Sequence, residues 1–315
     1  MMRKWLIFLF FPSLVLAKPL HNEVWSTPWF TGPLLAPGAS CNALREVTWQ
    51  PYLFVTNNYG SFDNHWNRVN GEDMWVIQPL LDFTYGIATF MDLETVPAFS
   101  YQISGGASSV RMNDTPLYLG IQALRQSEGS WVPDLRIRLQ QVFPFGQYDK
   151  MNPKKKGTDG TGKGSYQSGI TFDFQKTFKT SPEHYFRLRW SFEAILFTSM
   201  VHIQGLSTYG GGPKTEGKVR PGKTYNVFLS GEYTITRNWA FAFDTLYTLI
   251  TSNKFSGKKG GASVGNPTSQ QLSFAPAIEY NYSANLGLIG GAWFTLAGKN
   301  AGQFCSGAIS GVFTY

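Results

Sequence analysis

Hydrophobic and polar residues alternate along most of this chain with a period of two, which is the period of a β-strand. In the segment 131–143, aliphatic side chains alternate with Arg136 and Arg138. A second segment, 184–197, repeats the pattern with charged residues at every other position on its polar side. Because charges at this period cannot face lipid, the pattern predicts strands that enclose a polar interior.

The alternation predicts twelve strands, each of about 10 to 14 residues and close to the roughly 9 to 11 that a tilted membrane strand requires. The predicted strands cover residues 46–56, 73–85, 88–101, 114–124, 131–143, 166–178, 184–197, 224–236, 239–251, 269–282, 286–297 and 302–315.

The connections between these strands alternate in length. Long polar stretches rich in Asn, Gly, Lys and Ser alternate with tight turns such as 86–87, 237–238 and 283–285. Long loops on the outer side and short turns on the periplasmic side are typical of a transmembrane barrel. The short last hairpin, around Gly298, departs from this pattern. The predicted fold class is all-β: a transmembrane antiparallel β-barrel of about 12 strands with an N-terminal plug-like segment.

The two ends of the chain indicate export and an outer-membrane location. Residues 1–17 have a basic start, an apolar stretch and a small-residue cleavage site before Lys18, as a signal peptide does. Their apolar stretch of about twelve residues is shorter than the roughly 20 that a membrane helix needs. At the other end, Ile309, Gly311, Phe313 and Tyr315 share one face. We expect this terminal strand to be recognised by the outer-membrane barrel assembly machinery.

Residues 18–44 precede the predicted barrel, which covers 45–315. The segment contains Trp25, Trp29 and Phe30 but is too interrupted by Pro to form a strand. It is also too apolar for a free tail. We expect it to fold into the lumen or against the periplasmic mouth as a plug; the alternative is a disordered, tethered leader.

The charge of the 315-residue chain is moderately basic, +7 at pH 7, and the excess lies in three Gly-rich stretches. These basic stretches are either solvated loops or contacts for the phosphates of lipopolysaccharide. An exported chain makes nucleic acid an unexpected partner. A structural or adhesive barrel that acts through these loops is the main alternative to a channel. The three stretches surround Lys154 to Lys163, Lys214 to Lys223, and Lys254 to Lys259.

Ten charged residues fall on the polar sides of the predicted strands and are expected to face one lumen. Two interpretations stay open: the charges pair and fill a narrow barrel, or they border a pore and select solutes by their field. The ten are Asp134, Arg136, Arg138, Asp173, Arg187, Arg189, Glu193, Glu232, Asp244 and Glu279.

Catalysis is the rival function class, because outer-membrane hydrolases carry a Ser and a His near the outer leaflet. Ser199 and His202 are the only close pair, although His184 and Ser207 also merit attention. No Asn or Asp follows at a telling spacing, so we expect no enzyme activity.

Other potential chemistry is weak. The residues 217–224 match a phosphate-binding loop formally, but a Gly-rich loop precedes them and a strand follows, where that loop needs a strand and then a helix. We expect no cofactor and no metal centre. Cys41 and Cys305 could pair after export, but their positions before the first strand and inside the last make a bridge unexpected.

Several motifs resemble one outer-membrane family. Asp134 to Arg138, Phe143 to Tyr148 and the stretch Phe274 to Tyr280 are similar to the family associated with the meta-pathway of phenol degradation. The resemblance covers residues 46–315, with Lys299 where the family more often has Arg. It implies an outer-membrane barrel that passes small solutes, hydrophobic or aromatic ones among them, and it carries over no catalytic residue.

Overall fold

A computed structural model describes residues 28–127 and 129–315. The predicted signal peptide and the first part of the predicted plug segment, residues 18–27, lie outside the described residues. The described residues form seventeen strands and one 3₁₀ helix, Pro153–Lys155. The strands are β1 Val47–Phe62, β2 Arg68–Ala88, β3 Met91–Thr95, β4 Phe99–Ser104, β5 Ala107–Met112, β6 Thr115–Leu124, β7 Asp134–Phe143, β8 Gln167–Lys179, β9 Tyr185–Thr198, β10 Val201–Gln204, β11 Glu216–Arg220, β12 Thr224–Thr234, β13 Trp239–Ile250, β14 Lys254–Lys258, β15 Ser269–Asn281, β16 Leu286–Lys299 and β17 Ala301–Thr314.

Fourteen of these strands form one antiparallel sheet that closes on itself, because β1 pairs with both β17 and β2. The strands β3 and β4 lie end to end and are interrupted around Pro97, and β5 and β6 do the same around Asp114. Each of these two pairs acts as one interrupted strand, so the barrel has twelve strands around its circumference. This confirms the predicted all-β antiparallel barrel and its strand number; the plug-like role of the N-terminal segment stays a prediction. The described residues contain no helix that is long and apolar enough to cross a membrane.

The period-two pattern places apolar side chains outside and polar ones inside. Leu139, Phe172 and Phe192 are exposed on the outer surface, while the neighbouring inward residues Arg138 and Thr171 are buried. Only a closed barrel satisfies every strand amide within a hydrocarbon layer, and only an apolar exterior is compatible with lipid. The structure therefore has the surface of a membrane-spanning barrel.

Two predicted outer loops are instead continuations of the barrel wall. The connection after the first strand is only residues 63–67, because β1 and β2 extend beyond their predicted ends. The connection predicted over 102–113 is a hairpin of β4 and β5, turned by Gly105 and Gly106 with φ of 49° and 81°. In these extensions, polar residues occur on both sides of the strand, so the alternation of apolar and polar positions that predicted the other strands is missing. In the opposite sense, Trp131 is 87% exposed and precedes β7, so that strand starts later than predicted.

A second, three-stranded sheet forms on the outer side from β10, β11 and β14. Its inner side packs Val201, Ile203, Val219 and Tyr209 into a small core of its own. Two of the three basic stretches, predicted as loops, thus contribute strands to this outer sheet. Their short strands are far apart in sequence, so a local pattern did not indicate the pairing.

Candidate functional site: the barrel lumen

The first group of lumen charges connects three strands of the barrel, β3, β7 and β8. Arg136 donates from Nη2 to Asp92 Oδ1 at 2.6 Å and also contacts Glu94 at 2.9 Å. Arg138 donates from Nη1 to Glu94 Oε1 at 3.0 Å and from Nε to Asp173 Oδ2 at 2.6 Å. All five side chains are buried. Alternating signs along this row offset the cost of burying each charge.

Gly120 makes this row geometrically possible. It lies on β6, directly opposite Asp92 on β3, and its cross-strand partner on β7 is Arg138, two residues from Arg136. A Cβ atom at this position would lie 2.0 Å from Asp92 Oδ1 and 2.5 Å from Arg136 Nε. The missing side chain therefore lets the guanidinium reach across one strand to the carboxylate on the next.

The second group of charges centres on Glu232, which is fully buried. Arg187 faces Glu232 directly across the β9–β12 pair and donates from Nε to Oε2 at 2.6 Å. Arg189 Nε lies 3.2 Å from the same oxygen. The Arg187 guanidinium also lies 4.3 Å from the ring centre of Phe30, which belongs to the N-terminal segment.

Two further predicted residues lie outside these ion pairs. Glu193 accepts a hydrogen bond from the side-chain amide of Asn226. Asp134, at the start of β7, accepts a 2.8 Å hydrogen bond from the backbone of Gln126 near the periplasmic rim. The structure thus brings six of the ten predicted residues into ion pairs. Whether any of them lines a solute pathway stays a prediction.

The last two predicted residues bind backbone amides of the N-terminal segment. Glu279 Oε2 accepts from Thr31 N at 2.7 Å. Asp244 accepts from Leu35 N at 3.1 Å and from Ala36 N at 3.0 Å. Both carboxylates are fully buried. Amide donors therefore bind these two carboxylates where cations bind Asp92, Glu94, Asp173 and Glu232, although Glu279 Oε1 has no hydrogen-bond partner among the described residues.

The N-terminal segment also has an apolar seat. Leu34 packs in a buried cluster with Phe54 and Ile289, and Leu35 packs against the same cluster. Small residues supply the remaining wall: Ala242, Ala275, Ala277 and Ala308. Because these inward positions carry only methyl groups, the lumen has room there for two leucine side chains. One wall of the lumen is therefore apolar, whereas the β3–β9 side is charged.

The end of the segment is held by the barrel as well. The Gln122 side chain accepts from Cys41 N at 2.7 Å and donates to Ala39 O at 2.9 Å. At Gly86, a Cβ atom would lie 1.8 Å from Ala43 O, so the glycine permits the chain to pass close to β2. The described part of the segment therefore lies along the inner wall from Thr31 to Ala43.

Two cavities lie in the lumen. The inner one, about 400 Å³, is lined by the N-terminal segment together with Arg136, Arg138 and Glu193. The outer one, about 560 Å³, is lined by Gln140 and by the loop containing Lys163. Tyr118 contacts one lining residue of each cavity. The Arg138 guanidinium of the inner cavity lies 4.6 Å from its ring centre, and Gln140 Nε2 of the outer cavity lies 3.1 Å from its hydroxyl.

Asp92, Glu94 and Tyr118 are among the lumen residues that were not in the predicted set of ten. Asp92 and Glu94 alternate with Leu93 and Thr95, which is the same signal that identified Arg136. Both lie on the polar side of the third predicted strand, so the same alternation also indicates that they face the lumen. Tyr118 gave no such signal, because an aromatic residue suits either face of a barrel wall.

The residues considered for catalysis have structural roles or lie apart. Ser199 Oγ accepts from Tyr166 N at 3.0 Å, which fixes the loop before β10. His202 is exposed on the outer sheet. Residues 217–224 span the end of β11, a short connection and the first residue of β12. Among the described residues, no group of three His, Cys, Asp or Glu side chains could hold a metal ion.

Solved structures share this fold. An outer membrane channel from Pseudomonas putida F1 has a TM-score of 0.70 and 14% identity, covering 90% of this chain and 100% of that chain. The beta domain of the Bordetella autotransporter BrkA gives 0.46 and 12% identity, over 86% and 100% of the two chains. A deletion mutant of the monoaromatic hydrocarbon channel TodX gives 0.45 and 11%, over 92% and 95%.

The likeness to the Pseudomonas channel shows the fold alone, which is that of an outer-membrane barrel. No protein-family model matches the sequence, and no curated protein matches it. The closed barrel, its apolar exterior and the shared fold place the chain in the bacterial outer membrane. The predicted location is thereby confirmed.

Proposed function

We propose that this chain is a passive outer-membrane channel for small solutes, hydrophobic or aromatic ones among them. The observation that carries this proposal is the pair of cavities inside one closed barrel, the inner of which is lined by a segment that belongs to no strand. The resemblance of residues 46–315 to the family associated with phenol degradation supports the same class of solute. The Pseudomonas relative in fold is itself described as a channel.

The N-terminal segment is the proposed plug of this channel. Its contacts with the barrel include hydrogen bonds at Thr31, Leu35, Ala36 and Cys41 and the packing of Leu34. No strand pairing joins the described part of the segment to the barrel, so its release breaks no strand-to-strand hydrogen bonds. In the plugged state, Asp244 and Glu279 bind backbone amides of the segment; in the released state, they lose these partners and face the pathway.

Planar-bilayer conductance tests the proposal. The full-length barrel is compared with a variant that lacks residues 28–44 and keeps the native signal and barrel. We expect brief, low-conductance openings in the first and sustained openings in the second. Absence of conductance in both, with normal heat-modifiable mobility on gels, would rule out a channel. Swelling of liposomes in benzyl alcohol and in glucose then compares the permeation of aromatic and polar solutes.

A second candidate function, contact with lipopolysaccharide phosphates, is favoured by the outer sheet. Its exposed side carries Lys218 and Arg220 on β11 and Lys254 and Lys258 on β14, with Glu216 as the one acidic residue. Exposed cations on alternate positions form a flat surface of positive charge. Lipopolysaccharide binding of the quadruple Gln variant should fall, whereas Lys150→Gln with Lys154→Gln, in another outer loop, should change it little.

The C-terminal strand is the proposed contact with the barrel assembly machinery. Ile309 and Tyr315 are exposed on the outer surface of β17 and just after it. Replacing Phe313 and Tyr315 with Ser should lower the amount of assembled barrel in outer membranes. A matched change of the inward residues Ser306 and Ser310 to Ala should have a smaller effect on assembly.

A further inference from the structure

The lining of the outer cavity combines apolar and polar side chains. Val76, Val142 and Ile195 are its apolar members apart from Pro116, and Gln140, Gln167 and Lys163 are among its polar ones. Apolar walls with a few polar groups are the usual composition of a small-molecule site. The cavity volume of about 560 Å³ is ample for a single aromatic ring with substituents.

Lys163 supplies this cavity with a cation that no carboxylate neutralises at close range. The nearest acidic side chain in the same lining is Asp114, whose two oxygens accept from Gly146 N at 2.9 Å and Lys163 N at 2.7 Å. Within the described ranges, no carboxylate oxygen lies within 4.0 Å of Lys163 Nζ. Burial lowers the pKa of Lys163, although Asp114 and Glu193 oppose that shift.

The cavity also contains enclosed acceptors. Gln167 is 3% exposed, and its side-chain oxygen has no hydrogen-bond partner in the part of the chain that the structure describes. The side-chain oxygen of Gln140 is likewise unpartnered there. Buried amide oxygens without a donor are unfavourable, so a ligand or an ordered water that donates a proton would stabilise both.

We propose that the outer cavity is a binding site for a small hydroxylated organic acid, with an aromatic ring as its apolar part. The carboxylate binds the Lys163 ammonium, a hydroxyl group donates to Gln167 or Gln140, and the ring packs on Val142 and Ile195. This inference rests on the proposed channel function, because it names the class of solute that the channel admits from outside.

Isothermal titration of the detergent-purified full-length barrel tests the site with three probes. The probes are 4-hydroxybenzoate, benzoate without the hydroxyl, and 4-hydroxybenzyl alcohol without the charge. We expect 4-hydroxybenzoate to bind most tightly. Lys163→Met should weaken its binding by roughly tenfold or more, as loss of a hydrogen bond to a charged group does, and leave the alcohol's affinity unchanged.

Two further variants separate the roles of charge and hydroxyl. Gln167→Leu should reduce the preference for 4-hydroxybenzoate over benzoate, whereas Lys163→Arg should retain the preference for the acid over the alcohol. Lys154→Met, an exposed lysine of the same loop, is the matched control and should bind as the parent does. All variants are first checked for normal heat-modifiable gel mobility.

The outcomes are distinct for the site and for the channel. If the parent binds none of the probes, or if Lys163→Met and the parent bind 4-hydroxybenzoate equally, the site is overturned. If binding follows the expected order but the plug-deleted barrel shows no conductance, the channel function fails and the site stands. Block of the conductance by 4-hydroxybenzoate in the parent, reduced in Lys163→Met, supports both.

Discussion

The main-chain oxygen of Ala36 accepts a 3.2 Å hydrogen bond from Arg189 Nη1. The amide of the same residue donates to Asp244 Oδ1 at 3.0 Å. Arg189 on β9 and Asp244 on β13 therefore bind the two backbone polar groups of one residue of the N-terminal segment, from two different strands. Because both side chains are buried, each would lose a partner if the segment left the lumen.

Replacing Asp244 with Leu should release the segment. The change removes the acceptor for the Leu35 and Ala36 amides, and a hydrogen bond to a charged group contributes about 1.5–3 kcal/mol. Loss of even one such bond raises the released fraction by roughly tenfold or more. We expect faster hydrogen exchange over residues 31–38 and a higher open probability in bilayers.

The control for this change is Asp134→Asn. It alters an inward carboxylate that accepts a hydrogen bond from the Gln126 backbone and not from the N-terminal segment. Asp244→Asn should be intermediate, because one carbonyl oxygen is retained. Equal exchange of residues 31–38 in the parent and in Asp244→Leu would show that Asp244 does not hold the segment.

The barrel could be predicted from the sequence because the alternation along each strand shows which residues face lipid and which face the interior. Arg136 and Asp173, both predicted as inward, are direct cross-strand partners in the β7–β8 pair. Arg187 and Glu232 form an ion pair in such a register, but Arg136 and Asp173 do not. Arg136 pairs instead with Asp92, two strands away, because Gly120 leaves space between them. Alternation alone contains no information on which neighbouring strand a long side chain reaches.

The outer sheet was not predictable for a different reason. Val201, Ile203 and Val219 do alternate with polar residues, but each run is only four or five residues long. Such runs become strands only when they pair with each other and with β14, whose sequence is more than thirty residues away from β11. Their polar composition fits a loop equally well, so tertiary pairing decides the outcome.

Replacing Arg138 with Met should strongly destabilise the barrel. The change leaves Asp173 and part of Glu94 without their cation, and breaking a buried pair in this way typically costs about 3–5 kcal/mol. Adding Asp173→Asn should recover part of the loss, because it removes the unpaired charge. Unfolding in urea from detergent micelles measures both; equal stability of the single and double variants would contradict the pairing.

Replacing Ile203 with Ala should loosen the outer sheet without affecting the barrel. Ile203 is fully buried in the sheet's small core, and a large-to-small change there costs about 2–5 kcal/mol. Hydrogen exchange should accelerate over β10, β11 and β14, while β12 and β13 stay protected. Gln204→Ala, an exposed neighbour on β10, is the control; protection of the sheet in both variants would mean that Ile203 is not essential to it.

Cys41 should report the position of the N-terminal segment. Burial, together with the negative charge of Asp92, raises the pKa of its thiol to about 11. At pH 8, a thiol with the usual pKa near 9 carries roughly 100 times more thiolate, the reactive form. In a Cys305→Ser background, Cys41 should therefore react slowly with iodoacetamide, and the rate should keep rising up to about pH 11.

Combining Asp244→Leu with Gln122→Leu removes acceptors for three amides of the segment, so the labelling of Cys41 at pH 8 should approach that of a free cysteine. If the parent already labels at that rate, Cys41 does not lie in the buried position against the lumen wall.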